Sequence, residues 1–172
     1  MKLESLHDLY LDQLQDLYNA EQQLIKALPK MADAASSEDL KAAFEKHLEK
    51  TREHALRIES ICEQLGEKAE GKKCKAMEGL IKEGDEVISE DMDERIKDAA
   101  LIAAAQRVEH YEMAGYGCVR AYAIRLGDTA AADALGQTLK EEKEADNALN
   151  GIAEQLNFEI AGDGTPASQS AA

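Results

Sequence analysis

The chain has no tryptophan, only two prolines among 172 residues, and 4% aromatic side chains. So few prolines leave few places where a helix must break. The residues that dominate instead, Ala, Leu, Glu, Lys and Gln, are strong helix formers, so the expected fold class is all-α. Cysteine is scarce too. Cys62, Cys74 and Cys118 are odd in number and have neither Cys-x-x-Cys nor zinc-ligand spacing, which argues against a disulfide framework and a zinc knuckle. Reduced, mostly packed thiols are expected. No window reaches eighteen uncharged apolar residues, and the N-terminus turns acidic at once without a signal-type apolar core. A cytoplasmic protein with no membrane span is expected. Positive charge is the last shortage: 20 basic against 35 acidic side chains leave a net charge of −15. Such a surface repels nucleic-acid phosphates and anionic lipid, so neither is an expected partner.

What is present suffices for one globular domain, with 44% hydrophobic and 32% charged residues. Tyr10, Leu14, Leu17, Leu24, Leu28 and Met31 recur at three- and four-residue steps, the stripe of a first helix from about Ser5 to Ala35. A second starts at Ser36-Ser37-Glu38 and carries Leu40, Phe44, Ile58, Ile61 and Leu65 up to Gly66. A short amphipathic segment with Met77, Leu80, Ile81, Val87 and Ile88 follows a polar stretch. The third long stripe runs from about Asp93 through Leu101, Ile102, Ala105, Val108, Val119, Tyr122 and Leu126 to Gly127. The fourth starts at Asp128-Thr129 and carries Leu135, Leu139, Leu149, Ile152 and Leu156. After Phe158 the periodicity stops, so residues 1–158 read as a four-helix bundle and 159–172 as a flexible tail. Short links after the first and third helices, with roughly 25 residues between the second and third, favour the single-crossover arrangement of ferritin-like bundles, with a short fifth helix in the crossover.

The stripes are interrupted by polar residues. In the first helix the seam passes through Glu21; in the second it runs Phe44, His47, Thr51, His54, Ile58. The third places Glu109 and Glu112 between Ala105 and Tyr116, and the fourth places Glu142 and Asp146 on one face between Leu139 and Leu149. At a rise of about 1.5 Å per residue each group falls near the middle of its helix, so packing brings them into one layer. Buried carboxylates crowded there repel one another and call for a cation. Lys50 and Lys143 stand at the edges only. Carboxylate oxygens with one or two imidazoles suit a pair of iron or manganese ions. Each element also has a plainer reading, as a rim carboxylate, a surface pair or a hydrogen-bonded core histidine; it is the coincidence of height on all four helices that favours a metal. Tyr18, Tyr111 and Tyr116 fit either core filling or hydrogen bonding to that layer.

Several blocks make the sequence resemble the YciE/YciF family of ferritin-like proteins, and its YciF branch more closely. They are Tyr18 to Leu24, His47 to Thr51, Cys74 to Ile81, Asp98 to Gln106, Val108 to Glu112 and Glu141 to Lys143, in order along nearly the whole chain. The resemblance implies metal ligands at Glu21, Glu109, Glu112 and Glu142. It departs from the general ferritin pattern in the second helix, where Thr51 stands three before His54 in place of Glu, and in the fourth, where Ala145 stands three after Glu142 in place of His. His47 is the better supported ligand of the second helix, His54 a variable one, and Asp146 is proposed from spacing alone.

The resemblance also implies a bacterial stress-response protein that forms homodimers. Two functions follow as expectations. The first is a dinuclear iron or manganese carboxylate protein that reacts with oxygen or peroxide, as ferroxidases, rubrerythrins and manganese catalases do, with external electrons since no rubredoxin-type module is present. The alternative is a non-catalytic structural or interaction homodimer with a vestigial or structural metal site, in which the amphipathic crossover serves the dimer interface. Iron storage in a hollow shell is the weaker third.

Overall fold

A computed structural model of the protein describes residues 3–161, which form five helices and no strand. They are α1 (Leu6–Ala34), α2 (Glu38–Gln64), α3 (Lys75–Ser89), α4 (Glu94–Leu126) and α5 (Thr129–Ile160). Each start is chemically marked. Ser5 and Asp8 form a reciprocal capping box on α1, with Asp8 N–H donating to Ser5 Oγ at 3.1 Å and Ser5 N–H to Asp8 Oδ2 at 2.9 Å. Ser37, Asp93 and Asp128 accept the first-turn N–H groups of α2, α4 and α5, and Cys74 Sγ does so for α3. Gly127 ends α4 in the left-handed conformation, φ +83°, which a Cβ would disfavour.

The four long helices close a bundle in which α1 packs on α2 and α4, and α5 on α4 and α2. The start of α1, the end of α2, the end of α4 and the start of α5 share one apolar cluster, built on Tyr10, Leu14, Ile58, Tyr116, Val119 and Leu135. The opposite ends share a second, built on Leu24, Leu28, Phe44, Leu101, Ile102 and Leu149. Hence α4 runs parallel to α2 and antiparallel to both its partners, the single-crossover bundle expected from loop lengths. The polar residues of the seam fall between the two clusters, a buried layer across the waist of the molecule.

The crossover is tied to α1. Asn19 Oδ1 accepts from Cys74 N–H at 2.8 Å, Gln23 donates to Cys74 O at 3.0 Å, and Gln15 donates to Lys68 O at 2.9 Å. Its helix α3 lies against α1 and α4, with Met77 fully buried and Leu80, Ile81, Val87 and Ile88 packed on the second cluster. The chain itself covers part of this face, leaving Leu80, Ile81, Val87 and Ile88 half-buried. Asp98, buried on α4, accepts from Ser36 N–H (2.9 Å), Ser36 Oγ (2.6 Å) and Ser37 N–H (2.9 Å), pinning the α1–α2 turn. The last helix runs to Ile160, past Phe158, because nothing after that residue breaks it before Ala161. The rest of the expected tail, 162–172, lies outside the described residues. Among the described residues no helix is long and apolar enough to cross a membrane. Cys62 and Cys74 are buried and Cys118 exposed, all unpaired.

Candidate metal centre

Six side chains from four helices meet at the waist: Glu21 of α1, His47 and His54 of α2, Glu109 and Glu112 of α4, and Glu142 of α5. All are buried, Glu21, His54, Glu112 and Glu142 completely. One donor atom each from His47, Glu109, Glu112 and Glu142 lies within 4.8 Å of the others, and Glu21, His54 and Glu142 form a second such group. Glu142 belongs to both, so the layer is two adjoining ligand sets with a shared carboxylate. His47 Nε2 is 3.3 Å from Glu109 Oε1 and 3.8 Å from Glu142 Oε2. His54 Nδ1 is 2.9 Å from Glu142 Oε1 and 3.7 Å from Glu21 Oε1. The two imidazoles come from one helix face two turns apart, where His47 and His54 are seven residues apart.

A donor set that fits a cation should leave its ligand atoms without other partners. Apart from Tyr10 Oη, every buried side-chain nitrogen or oxygen lacking a hydrogen bond among the described residues belongs to these six residues. The charge balance agrees. Burial and the neighbouring Glu142 hold Glu21 up at about 8, and burial with the surrounding carboxylates drives Glu109 and Glu112 well above the usual range. Burial lowers His47. It pulls on His54 as well, but the close Glu142 carboxylate, the charge of Glu21 and the hydrogen bond to Glu141 raise that imidazole overall. Left to itself, the layer must take up protons to relieve this repulsion; two divalent cations would do the same with charges to match.

Residues 5–161 match the family described as a domain of unknown function, DUF892. The chain belongs to the DUF892 family. It is 46% identical over 154 residues to protein YciF of Escherichia coli strain K12, a span of 89% of this chain and 93% of that one. The solved structure of the E. coli stress protein YciF superposes with a TM-score of 0.89 at 44% identity, covering 91% of this chain and 99% of the other. A Rhodopseudomonas palustris protein proposed to be structural gives 0.84 at 44% identity, over 87% and 95%. A dodecameric thioferritin from Bacteroides fragilis shares the fold alone, at 17% identity and a TM-score of 0.68 over 91% and 88%. The YciE/YciF resemblance and the ferritin-like fold read from the sequence are thus shown.

Within this DUF892 bundle the structure gathers Glu21, His47, His54, Glu109, Glu112 and Glu142 and leaves Asp146 out. The Asp146 carboxylate accepts from Gln106 at 3.1 Å and Asn150 at 3.3 Å, with exposed His110 at 3.5 Å. Four residues along α5 is one full turn plus part of another, which carries Asp146 to the α4–α5 edge. Neighbours outside the expected set hold the layer in place. Glu141 Oε2 lies 3.0 Å from His54 Nε2 and is gripped by Arg57, whose Nη1 also donates to Thr138 Oγ1 at 3.0 Å. Burial opposes ionisation of Glu141, yet Arg57, Gln137 and His54 together hold it down at about 2. Tyr116 Oη donates to Glu21 Oε1. Tyr116 had a sequence signal, four residues after Glu112 on the same face; Glu141 had none, since it points to α2 from beside a ligand.

Proposed function

We infer that the six residues hold two iron or manganese ions and that the protein reacts with oxygen or peroxide as part of a bacterial stress response. The observation that carries this reading is the layer of unpartnered carboxylate and imidazole atoms from four helices, sharing Glu142. Such a pair of ions supplies one-electron couples side by side and open positions for an oxidant. In this reading Glu109 and Glu112 with His47 would hold one ion and Glu21 with His54 the other, Glu142 being common to both sets. Tyr116 orients Glu21 by donating to it, and Glu141 orients His54 by accepting from Nε2, which leaves Nδ1 facing the centre. The two apolar clusters above and below exclude bulk water from the layer.

The stress role rests on the likeness to the E. coli stress protein, and a cytoplasmic homodimer on the family resemblance. The second reading, a non-catalytic structural or interaction homodimer with a vestigial or structural metal site, is favoured by the description of the R. palustris relative. Metal content per chain after anaerobic loading with ferrous or manganous ion, followed by oxygen and peroxide consumption, separates the two. Two ions per chain with rapid consumption is the expected outcome. Full loading without consumption favours a structural ion, and failure to load overturns the oxidant reading and favours the second reading with a vestigial site.

A further inference from the structure

A pocket of about 90 Å³ opens between α2 and α5 and reaches one half of the centre only. Its floor is His47 and Glu109; its walls are Ala43, Phe44, Ala145, Ala148 and Leu149. Lys46, Lys50, Glu144 and the Arg57-bound Glu141 complete the lining, two cations against two anions, and neither Glu21 nor His54 lines it. His47 Nε2 and Glu109 Oε2, both more than nine-tenths buried, are without hydrogen-bond partners at the floor.

The pocket is larger than a diatomic or peroxide reactant needs, since roughly 10–15 Å³ by this kind of measure holds a water molecule. An apolar wall of this kind stabilises a hydrocarbon body and does nothing for a fully polar reactant. Charge decides what the polar end should be. Glu21, Glu109, Glu112 and Glu142 together neutralise two divalent ions, so the loaded centre has no excess positive charge to attract an anion. At the mouth Lys50 is already paired with Glu53 (2.9 Å) and Glu141 (3.5 Å). The fitting reactant is therefore neutral, with an oxidising oxygen head and a short apolar body.

We propose that the α2–α5 pocket is the reactant entrance to the His47 half of the centre and that it takes small alkyl hydroperoxides in preference to hydrogen peroxide. This rests on the oxidant-processing reading above. The reaction balances as one O–O bond broken, two protons and two electrons taken up, and alcohol plus water released. The two electrons come one each from two bound divalent ions, which become trivalent.

The test uses the full chain and two pocket-filling variants at positions outside the ligand set, Ala145→Leu on α5 and Ala43→Leu on α2, so that a folding failure in one leaves the other. Metal-free protein is titrated with tert-butanol, the product alcohol, by amide NMR. The expected result is shifts clustered at Phe44, His47, Ala145 and Leu149 in the parent and their loss in the variants. Protein loaded with ferrous ion is then given tert-butyl hydroperoxide or hydrogen peroxide in separate single turnovers. The variants should keep two ions per chain, lose at least tenfold in the tert-butyl hydroperoxide rate and stay within twofold for hydrogen peroxide. No loss for either peroxide, or no alcohol shifts in the pocket, would overturn the entrance assignment, and equal losses for both would overturn the preference for alkyl hydroperoxides. A loaded parent that consumes neither peroxide, yet binds the alcohol in the pocket, fails on the oxidant reading instead and takes the substrate assignment with it.

Discussion

His47 and His54 lie on the same face of one helix, yet their surroundings differ in kind. His54 is fully enclosed, with one ring nitrogen on the Glu142 side and the other on Glu141, which Arg57 holds ionised. His47 has Glu109 and Glu142 beside its Nε2 and lines the pocket between α2 and α5. The environments move the two imidazoles in opposite directions, His54 up and His47 down. A clamped half and an accessible half within one layer is what a centre needs if one ion is to stay put while the other meets a reactant.

The change that should erase the contrast altogether is Glu142→Ala, because it removes the carboxylate common to both ligand sets. Metal content measured after loading should fall from two ions per chain to near none; retention of either ion would mean the sets are independent. Next in size, His54→Ala and His47→Ala should each leave one ion. Glu141→Gln, which keeps the shape but not the charge beside His54, should weaken one of the two ions by roughly 10- to 100-fold and spare the other. Equal weakening of both would break the distinction between the halves.

A smaller effect is expected from pH on the metal-free protein. Glu21 sits at about 8 against an ordinary 4.5, with Glu109 and Glu112 also raised, so the folded state holds protons that the unfolded state releases. Stability then falls as pH rises through that window. Cooling the repulsion by acidifying from pH 8.5 to 6.5 should raise the melting temperature by more than about 4 °C. The window stays above the ordinary imidazole value of 6.5, below which lowered His47 would oppose the gain. Protein loaded with metal should show less than half that rise, and a flat curve for the metal-free form would contradict the buried-acid account. Smallest of all, Asp146→Ala should leave metal content unchanged, since its carboxylate is spent on Gln106 and Asn150.

Helix number, helix starts and the crossover were legible because they are local. Ser5, Ser37 and Asp128 cap where the periodicity begins, and Gly127 ends α4 where a left-handed residue is required. The candidate ligands were legible for a related reason: a polar residue in an apolar stripe is visible in one dimension, and four stripes interrupted at equal height imply a layer. Asp146 shows the limit of that logic. Four residues from Glu142 is the same face by spacing, but α4 rather than the bundle interior meets that part of the face. The crossover helix shows another, since its amphipathic face could be matched to α1 and α4 only when their packing was known.

Period, caps and loop lengths are properties of neighbours along the chain, and they suffice for an all-helical fold, the order of its helices and the side chains that would have to be buried without apolar partners. The position of Glu142 between two ligand sets, the turn of Glu141 to His54 and the opening that reaches His47 come from the packing of the helices on one another. Those relations depend on the rotation of each helix about its axis and on the gap left between α2 and α5, which are set by how large side chains interlock across helices rather than by any single helix's own pattern.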